Sequence, residues 1–398
     1  MTPAETRACF PGLRDKAFLD AACISLAPVQ AREVIRSFLE LAVECPSRDA
    51  SEHHIAMDLL RKPAVQEAAR LLNTTRDHIA LVESTSHGLA LAALAIPLAP
   101  GDNVLVADTE FVEVGLPWAR RPGVTLRAVR SGERGALRPD DFEAAVDART
   151  RVVCVSSVQW STGYRVEVAA LARLCRARGL WLVVDAIQEM GALRIDLAQA
   201  APDFVVAGGH KWLNAPFGCG ILYVGDRALR ELEPPASGYL ALPRPHAGWK
   251  AYFEDPASTP YRDYTVRRAP VSYETSGTAN YPGWAGLAAS LALVNQVGIE
   301  AAERRVLELA ERAAEELTRA GARIVSHRDP SVRSGITTFT CYADAAQDRA
   351  LAERLIAERV YVAVRYTSGV GGIRVSTHYF NDEEDLLRLG AALRRCRG

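Results

Sequence analysis

The sequence predicts an α/β fold, with a large domain on a mainly parallel sheet followed by a smaller α/β domain. Short runs rich in Val, Ile and Leu alternate with stretches of helical periodicity. Strand–helix–strand alternation gives parallel strands with right-handed crossovers. The chain has 398 residues, more than one ordinary core holds, so two domains are expected.

The segment 18–22, FLDAA, leads into helical spacing over 29–43. His53 and His54 have no third ligand at helical spacing and read as surface residues. The run 79–82 is apolar and too short for a helix, so it reads as a buried strand. The turn ESTSHG, 83–88, then opens an apolar helix over 89–95. Strands follow at 104–107 and 151–155, and a helix over 168–178 returns the chain to a strand at 181–184. The next run, 204–206, ends on Gly208, Gly209, His210 and Lys211. Residues 232–270 are irregular and rich in Pro and aromatics; a loop this long serves a function or a subunit contact more often than nothing. A Gly/Ser/Thr loop, 273–280, precedes a helix over 284–297. An amphipathic helix over 300–320 starts the smaller domain. Strands at 335–341, 360–364 and 373–376 follow, with helices over 345–358 and 381–395. The large domain is assigned to 15–285, and the small one to 286–398 with residues 1–14.

Open α/β sheets bind ligands outside the carboxyl ends of their strands. Successive strands here end on Asp185 and Lys211, so a carboxylate and an amine face one crevice. Pyridoxal phosphate needs that pair: an amine for a Schiff base, and a carboxylate that keeps the pyridine nitrogen protonated. Glycines at 208 and 209 let backbone approach such a cofactor closely. Taken singly, each residue also has an ordinary use, Asp185 as a helix N-cap and Lys211 as a surface amine. Thr85 and Ser86 stand at a helix start, where hydroxyls serve as caps and where N–H groups and the dipole also suit a phosphate. Competing motifs fail. A phosphate loop ending at Lys211 needs glycine where Val205 and His210 stand, and Glu274 replaces the first glycine of GxSxG at Ser276.

Lys plus Arg is 47 against 48 for Asp plus Glu, which gives no basic face for nucleic acid. The 8 cysteines form no CxxC pair, so neither a metal site nor a disulfide framework is expected, and reduced thiols suit a cytoplasmic protein. The longest apolar run, 89–99, is too short to span a bilayer, and no leader pattern opens the chain, so no membrane partner is expected.

At DAIQ, beginning with Asp185, and GGHKWL, containing Lys211, the chain resembles the class V aminotransferase family. That family includes cysteine desulfurases, selenocysteine lyases and isopenicillin N epimerase-like proteins. The resemblance runs from about Phe18 to Leu389 and implies fold type I, with a mainly parallel seven-stranded sheet and pyridoxal 5'-phosphate as cofactor. It makes Lys211 the Schiff-base residue and sets Asp185 at the ring nitrogen, Gln188 at the ring hydroxyl and His210 beside the phosphate. Thr85 and Ser86 match the phosphate hydroxyls, and Phe111 matches the residue that stacks on the ring. Ser157 stands where desulfurases carry an Asn that helps hold the ring hydroxyl; Gln159 is the other donor there. His87 replaces a usual Glu. Gly277 and Thr278 match a pair that reaches the phosphate of a neighbouring subunit, which implies a homodimer. Arg374 matches the arginine that grips the substrate carboxylate, a task its planar fork suits. Cys23 and Ser25 follow a segment that lines the substrate side. The plain alternatives are a surface strand arginine at 374 and small or apolar core residues at 23 and 111.

No cysteine lies between Arg365 and Arg374, where desulfurases place their sulfur acceptor. Sulfur transfer needs a mobile, accessible thiolate; Cys341 falls in a predicted strand and Cys396 in the tail. The expected reaction is therefore β-elimination from a cysteine-type substrate or S-conjugate, a C–S lyase, with Lys211 moving the Cα proton. Transamination, epimerisation and oxidative decarboxylation–deamination begin the same way and are the alternatives. A non-catalytic cofactor or ligand sensor is the alternative of another class.

Overall fold

Seven strands form the central sheet in the computed structural model, which describes residues 1–235, 238–261 and 264–397. They are β1 (Ile79–Val82), β2 (Asn103–Ala107), β3 (Thr125–Val129), β4 (Thr150–Ser156), β5 (Trp181–Asp185), β6 (Phe204–Gly208) and β7 (Gly220–Val224). The order across the sheet is β1-β7-β6-β5-β4-β2-β3. Only β7 runs antiparallel to its neighbours β1 and β6; the other pairs are parallel. The sheet is thus mainly parallel, as the alternating pattern implies. The edge strand β3 escaped the sequence reading because Thr125, Leu126 and Ala128 are exposed and leave no continuous apolar run.

Strands β2, β6 and β7 are buried along their whole length. Period-two alternation divides their side chains between two cores. Leu105, Val153, Val155, Leu182, Val184 and Val205 face one core. Val104, Val106, Val152, Cys154, Val183 and Val206 face the other, with helix Thr85–Ala95. Full burial of each such side chain contributes roughly 1.5–3 kcal/mol.

A second sheet holds β8 (Arg323–Ile324), β9 (Ile336–Thr340), β10 (Ala363–Thr367) and β11 (Val370–Ser376), in the order β10-β11-β9-β8. The expected strand at 360–364 is divided: Val360–Tyr361 pairs in parallel with Ala17–Phe18, and Ala363 begins β10. The Ser376 N–H donates to the Leu19 carbonyl at 2.8 Å, so the FLDAA segment is tied to this sheet. The segment 365–372, which the expected strands at 360–364 and 373–376 leave as a loop, is instead a hairpin. Ser368 and Gly369 form its two-residue turn with φ of 48° and 77°, the left-handed pair that matches strand twist.

Helix Tyr281–Val297 runs through position 286, where the sequence reading divides the domains; the chain bends by 81° after it, before helix Ile299–Arg319. Within the irregular region 232–270, Tyr239, Trp249, Tyr252 and Phe253 form an aromatic cluster around helix Gly248–Glu254. Positions 236, 237, 262 and 263 of that region lie outside the described residues. Among the described residues no single helix is long and apolar enough to cross a membrane.

Candidate active site

The carboxyl ends of β4, β5 and β6 and the start of helix Thr85–Ala95 open on a cavity of about 340 Å³. Of the residues singled out from sequence, Cys23, Thr85, Ser86, Phe111, Asp185, Gln188, His210, Lys211 and Arg374 line it. Ser157, Gly277 and Thr278 do not. Glu113, Ser156, Trp160 and Arg365 also line it and were not foreseen.

Asp185 ends β5 and pairs in register with Ser156 and Val206. It is 2% exposed, and its Oδ1 accepts the Ile187 N–H at 2.9 Å. It thus closes a local turn rather than capping a helix, since none starts here, and it also faces the cavity. Burial pushes its carboxyl up to about 6, because removing a charge from water favours the neutral form. Lys211 follows β6, with Nζ 5.9 Å from the centre of the Phe111 ring. Burial brings its amine down to about 8, with Asp185 acting in the opposite direction. A cation brought to this carboxylate favours its charged form, and a partly neutral amine is a nucleophile near neutral pH.

Ser84 caps helix Thr85–Ala95, accepting the His87 N–H at 3.1 Å. The Thr85 hydroxyl accepts the Gly208 N–H at 2.9 Å, which fastens the helix to β6. Ser86 is exposed at the mouth. Positive dipole, free N–H groups and hydroxyls converge there, as an anion requires. His210 stacks on Phe217 at 4.6 Å, and burial brings its imidazole down to about 4, so it is neutral at ordinary pH. His87 pairs with Glu83.

Gln188 donates to the Ala22 carbonyl at 3.0 Å and accepts the Trp212 indole N–H at 2.8 Å. It thereby locks the FLDAA segment to the lysine turn. Phe111 is 40% exposed and meets Trp160 edge-on at 5.4 Å, so it is a wall of the cavity rather than core. Ser157 differs from the expectation. Neighbouring strand residues point to opposite sides, and Ser157 is buried with its N–H on the Asp185 carbonyl at 2.9 Å. Gln159 donates to Glu110 at 3.1 Å and accepts from Thr109 at 3.0 Å, away from the cavity. Ser156 faces the cavity instead, and burial pushes the Glu110 carboxyl behind it up to about 7.

The Gly277 carbonyl meets His54 Nε2 at 2.5 Å, so His54 is engaged rather than free on the surface, and Thr278 is exposed. Arg374 lies on β11 and is 1% exposed. Its Nη1 donates to the Trp160 carbonyl at 2.8 Å and its Nη2 to Asp20 at 3.1 Å. Its Nε has no hydrogen-bond partner among the described residues. Asp20 was legible only as part of FLDAA; its pairing with an arginine 354 positions away was not. Ser25 bonds Asn214 at 2.6 Å and stays outside the cavity.

These residues fit pyridoxal 5'-phosphate. A buried carboxylate needs a cationic partner, a buried amine is ready to react, and a hydroxyl-rich helix start can take the phosphate. The orphaned Arg374 Nε marks a place for an acid. The cavity lies within the roughly 300–1,000 Å³ usual for small-molecule sites. Among the described residues no group of 3 or more His, Cys, Asp or Glu is placed to hold a metal, and the cysteines are free.

Comparison with known proteins agrees with this architecture. Residues 17–389 match the family model described as Aminotransferase class-V. The chain is 27% identical over its full length to 99% of a probable cysteine desulfurase of Methanothermobacter thermautotrophicus. It is 30% identical, over 96% of both chains, to an isopenicillin N epimerase of Streptomyces clavuligerus. Among solved structures, a cysteine desulfurase of Thermococcus onnurineus superposes with a TM-score of 0.84 at 22% identity, covering 99% of this chain and 98% of the other. A cystine C–S lyase in complex with cysteine persulfide does so with a TM-score of 0.83 at 24% identity, covering 97% and 99%. The structural likenesses show the fold.

Proposed function

The chain belongs to the class V aminotransferase family of pyridoxal 5'-phosphate enzymes, and we propose that it is a C–S lyase that eliminates the sulfur substituent of a cysteine-type amino acid. The observation that carries this reading is the hairpin at Ser368 and Gly369. Its two-residue turn carries no thiol, and the Ser368 hydroxyl is tied to the Asp108 carbonyl. A sulfur acceptor needs a mobile thiolate, and this tip supplies neither the thiol nor the slack. Sulfur then leaves as a free thiol or persulfide.

When bound, the cofactor draws electron density from the substrate Cα. Asp185 would hold the cofactor through its ring nitrogen, and Phe111, as a wall of the cavity, would shield it from water. Arg374, whose Nε is buried without a partner among the described residues, takes the substrate carboxylate. Lys211 removes the Cα proton, a role that its depressed basicity suits. The Cβ–S bond breaks, the thiol departs with a proton, and the remaining fragment hydrolyses to pyruvate and ammonia. Ser84, Thr85 and Ser86 would hold the cofactor's phosphate. The active form is read as a cytoplasmic homodimer in which Gly277 and Thr278 serve the neighbouring site.

Holoenzyme with S-substituted cysteines should release pyruvate, ammonia and thiol in equal amounts. The epimerase relative at 30% identity favours one other reading. Deuterium entering Cα from heavy water, with loss of chirality and no pyruvate, would establish that reading and end the lyase one.

A further inference from the structure

We propose that Glu110 is a positioning residue for the ring-nitrogen end of the cofactor site: while it holds a proton it turns the Ser156 hydroxyl into a donor toward the cavity, beside Asp185, and when it loses that proton the donor is lost. The inference concerns how the cofactor is held, so it does not depend on whether the substrate is cleaved or epimerised.

Glu110 stands in the turn between β2 and helix Val112–Ala119, directly before the cavity wall Phe111. Its two oxygens have different partners. Oε1 accepts the Ser156 N–H at 2.8 Å and the Gln159 side-chain amide at 3.1 Å. That amide is held in this sense because its own oxygen accepts the Thr109 hydroxyl at 3.0 Å. Two donors on Oε1 leave Oε2 as the oxygen for a proton, and Oε2 meets the Ser156 hydroxyl. A serine hydroxyl has one hydrogen, and an ionised carboxylate can only accept. A charged Glu110 therefore takes that hydrogen, and Ser156 shows the cavity only lone pairs. A protonated Glu110 donates to Ser156 instead and frees the serine hydrogen for the cavity. Ser156 and Asp185 are register partners on adjacent parallel strands, about 4.8 Å apart, and both line the cavity. A donor at that place favours the charged form of Asp185, and lone pairs oppose it. The surrounding groups set which state prevails. Burial, and then the Asp185 charge, oppose ionisation of Glu110, against the hydrogen bonds from Ser156 and Gln159. Glu113 and Lys211 act on Asp185 in opposite senses, and burial keeps the Cys154 thiol neutral. Among the described residues no Arg, Lys or His forms an ion pair with Glu110. Asp185 thus takes its charge first, and Glu110 keeps its proton while it does so.

The test titrates apo-protein with pyridoxal phosphate, well below and well above the Glu110 midpoint of about 7, and compares wild type with Glu110→Gln. The glutamine oxygen must face the same two donors, so its NH2 donates to Ser156 at every pH. The variant should match wild type within about twofold at the low pH and bind about 3- to 10-fold tighter at the high pH, the range of one neutral hydrogen bond. Deprotonation of Lys211 acts alike on both proteins and cancels in the ratio. In a Ser156→Ala background, Glu110→Gln should change the affinity at neither pH. A ratio that is the same at both pH values overturns the proposal, because an acid that merely supports the fold gives that result. So does an effect of Glu110→Gln that survives in Ser156→Ala. Infrared titration of the apo-protein reads the proton itself and needs no cofactor. The carbonyl band of a neutral acid that Glu110→Gln removes should fade through about 7, and at a lower pH in Asp185→Asn, where the like charge is gone. Absence of that band in wild type below the midpoint, or a midpoint unmoved in Asp185→Asn, refutes the assignment. A chain that takes up no cofactor counts against the cofactor fit, and the infrared result then decides alone.

Discussion

Gly88→Ala tests the seat of the phosphate-binding helix. A Cβ at this position would lie 2.4 Å from Val206 Cγ1 and 3.3 Å from Cγ2. Carbon atoms settle at about 3.5–4.0 Å, so the helix must retreat by roughly 1 Å or Val206 must turn away. Neither is easy. Val206 has no exposed surface, and Leu89, Leu91 and Ala92 of the same helix fill the same core. Forcing a methyl into such a core costs about 1–3 kcal/mol. The displacement also reaches function, because the Thr85–Gly208 bond of 2.9 Å lies at the start of this helix beside Ser84 and Ser86. Loss of one charge-assisted contact to the phosphate weakens cofactor binding by about 10- to 100-fold. Urea unfolding of the apo-protein reads the first effect, and spectroscopic titration with pyridoxal phosphate reads the second. Val206→Ala in the same chain removes both clashing methyls and should restore most of the affinity. An unchanged unfolding midpoint with unchanged cofactor affinity in Gly88→Ala would refute the close approach. A loss that Val206→Ala fails to relieve would refute the assigned contact.

Cofactor capture by the apo-protein should quicken as pH rises through about 8, where Lys211, brought down by burial, gives up its proton. Asp185→Asn removes the charge that opposes this shift and should move the inflection lower; an inflection near the ordinary lysine value of 10.5 contradicts the environment described. His378 is fully buried and neutral, donating from Nε2 to the Trp212 carbonyl at 3.0 Å and accepting the Tyr379 N–H at Nδ1. Burial brings it from 6.5 to about 3, so the unfolded chain takes up the proton first as pH falls. Its contribution is present above pH 6.5 and is lost progressively toward pH 3, at no more than about 1.4 kcal/mol per unit. Unfolding midpoints against pH should show a shallower acid slope in His378→Asn than in wild type; identical slopes would count against it. Arg61→Ala should cost about 3–5 kcal/mol, since it strands the Glu274 carboxylate, which has no exposed surface and bonds Arg61 Nε at 3.0 Å and the Leu81 N–H at 3.0 Å. Adding Glu274→Gln should recover part of that loss in denaturant unfolding, and a deficit below about 1 kcal/mol would show that the pair is not isolated from water.

Much of the site was legible because strand ends can be read locally. An apolar run that stops on Asp185, and another that stops before Lys211, already place both groups at the carboxyl edge of a parallel sheet. Ser157 was misread by a single position: alternation along a strand hands the cavity to Ser156, and no local signal tells the two serines apart. The hairpin at 368–369 was read as a loop because Gly369, Gly371 and Gly372 look like slack, whereas strand pairing turns them into a tight ladder.

The carboxylate–amine pair, the hydroxyls at the helix start and the missing loop thiol are properties of short segments, and the amino-acid order alone determined them. Tertiary structure decided that Asp20 pairs with Arg374 and that Gln188 clasps the FLDAA segment to the lysine turn. Those relations join positions far apart in the chain. Pairing register and packing set them, and neither is encoded in any one stretch.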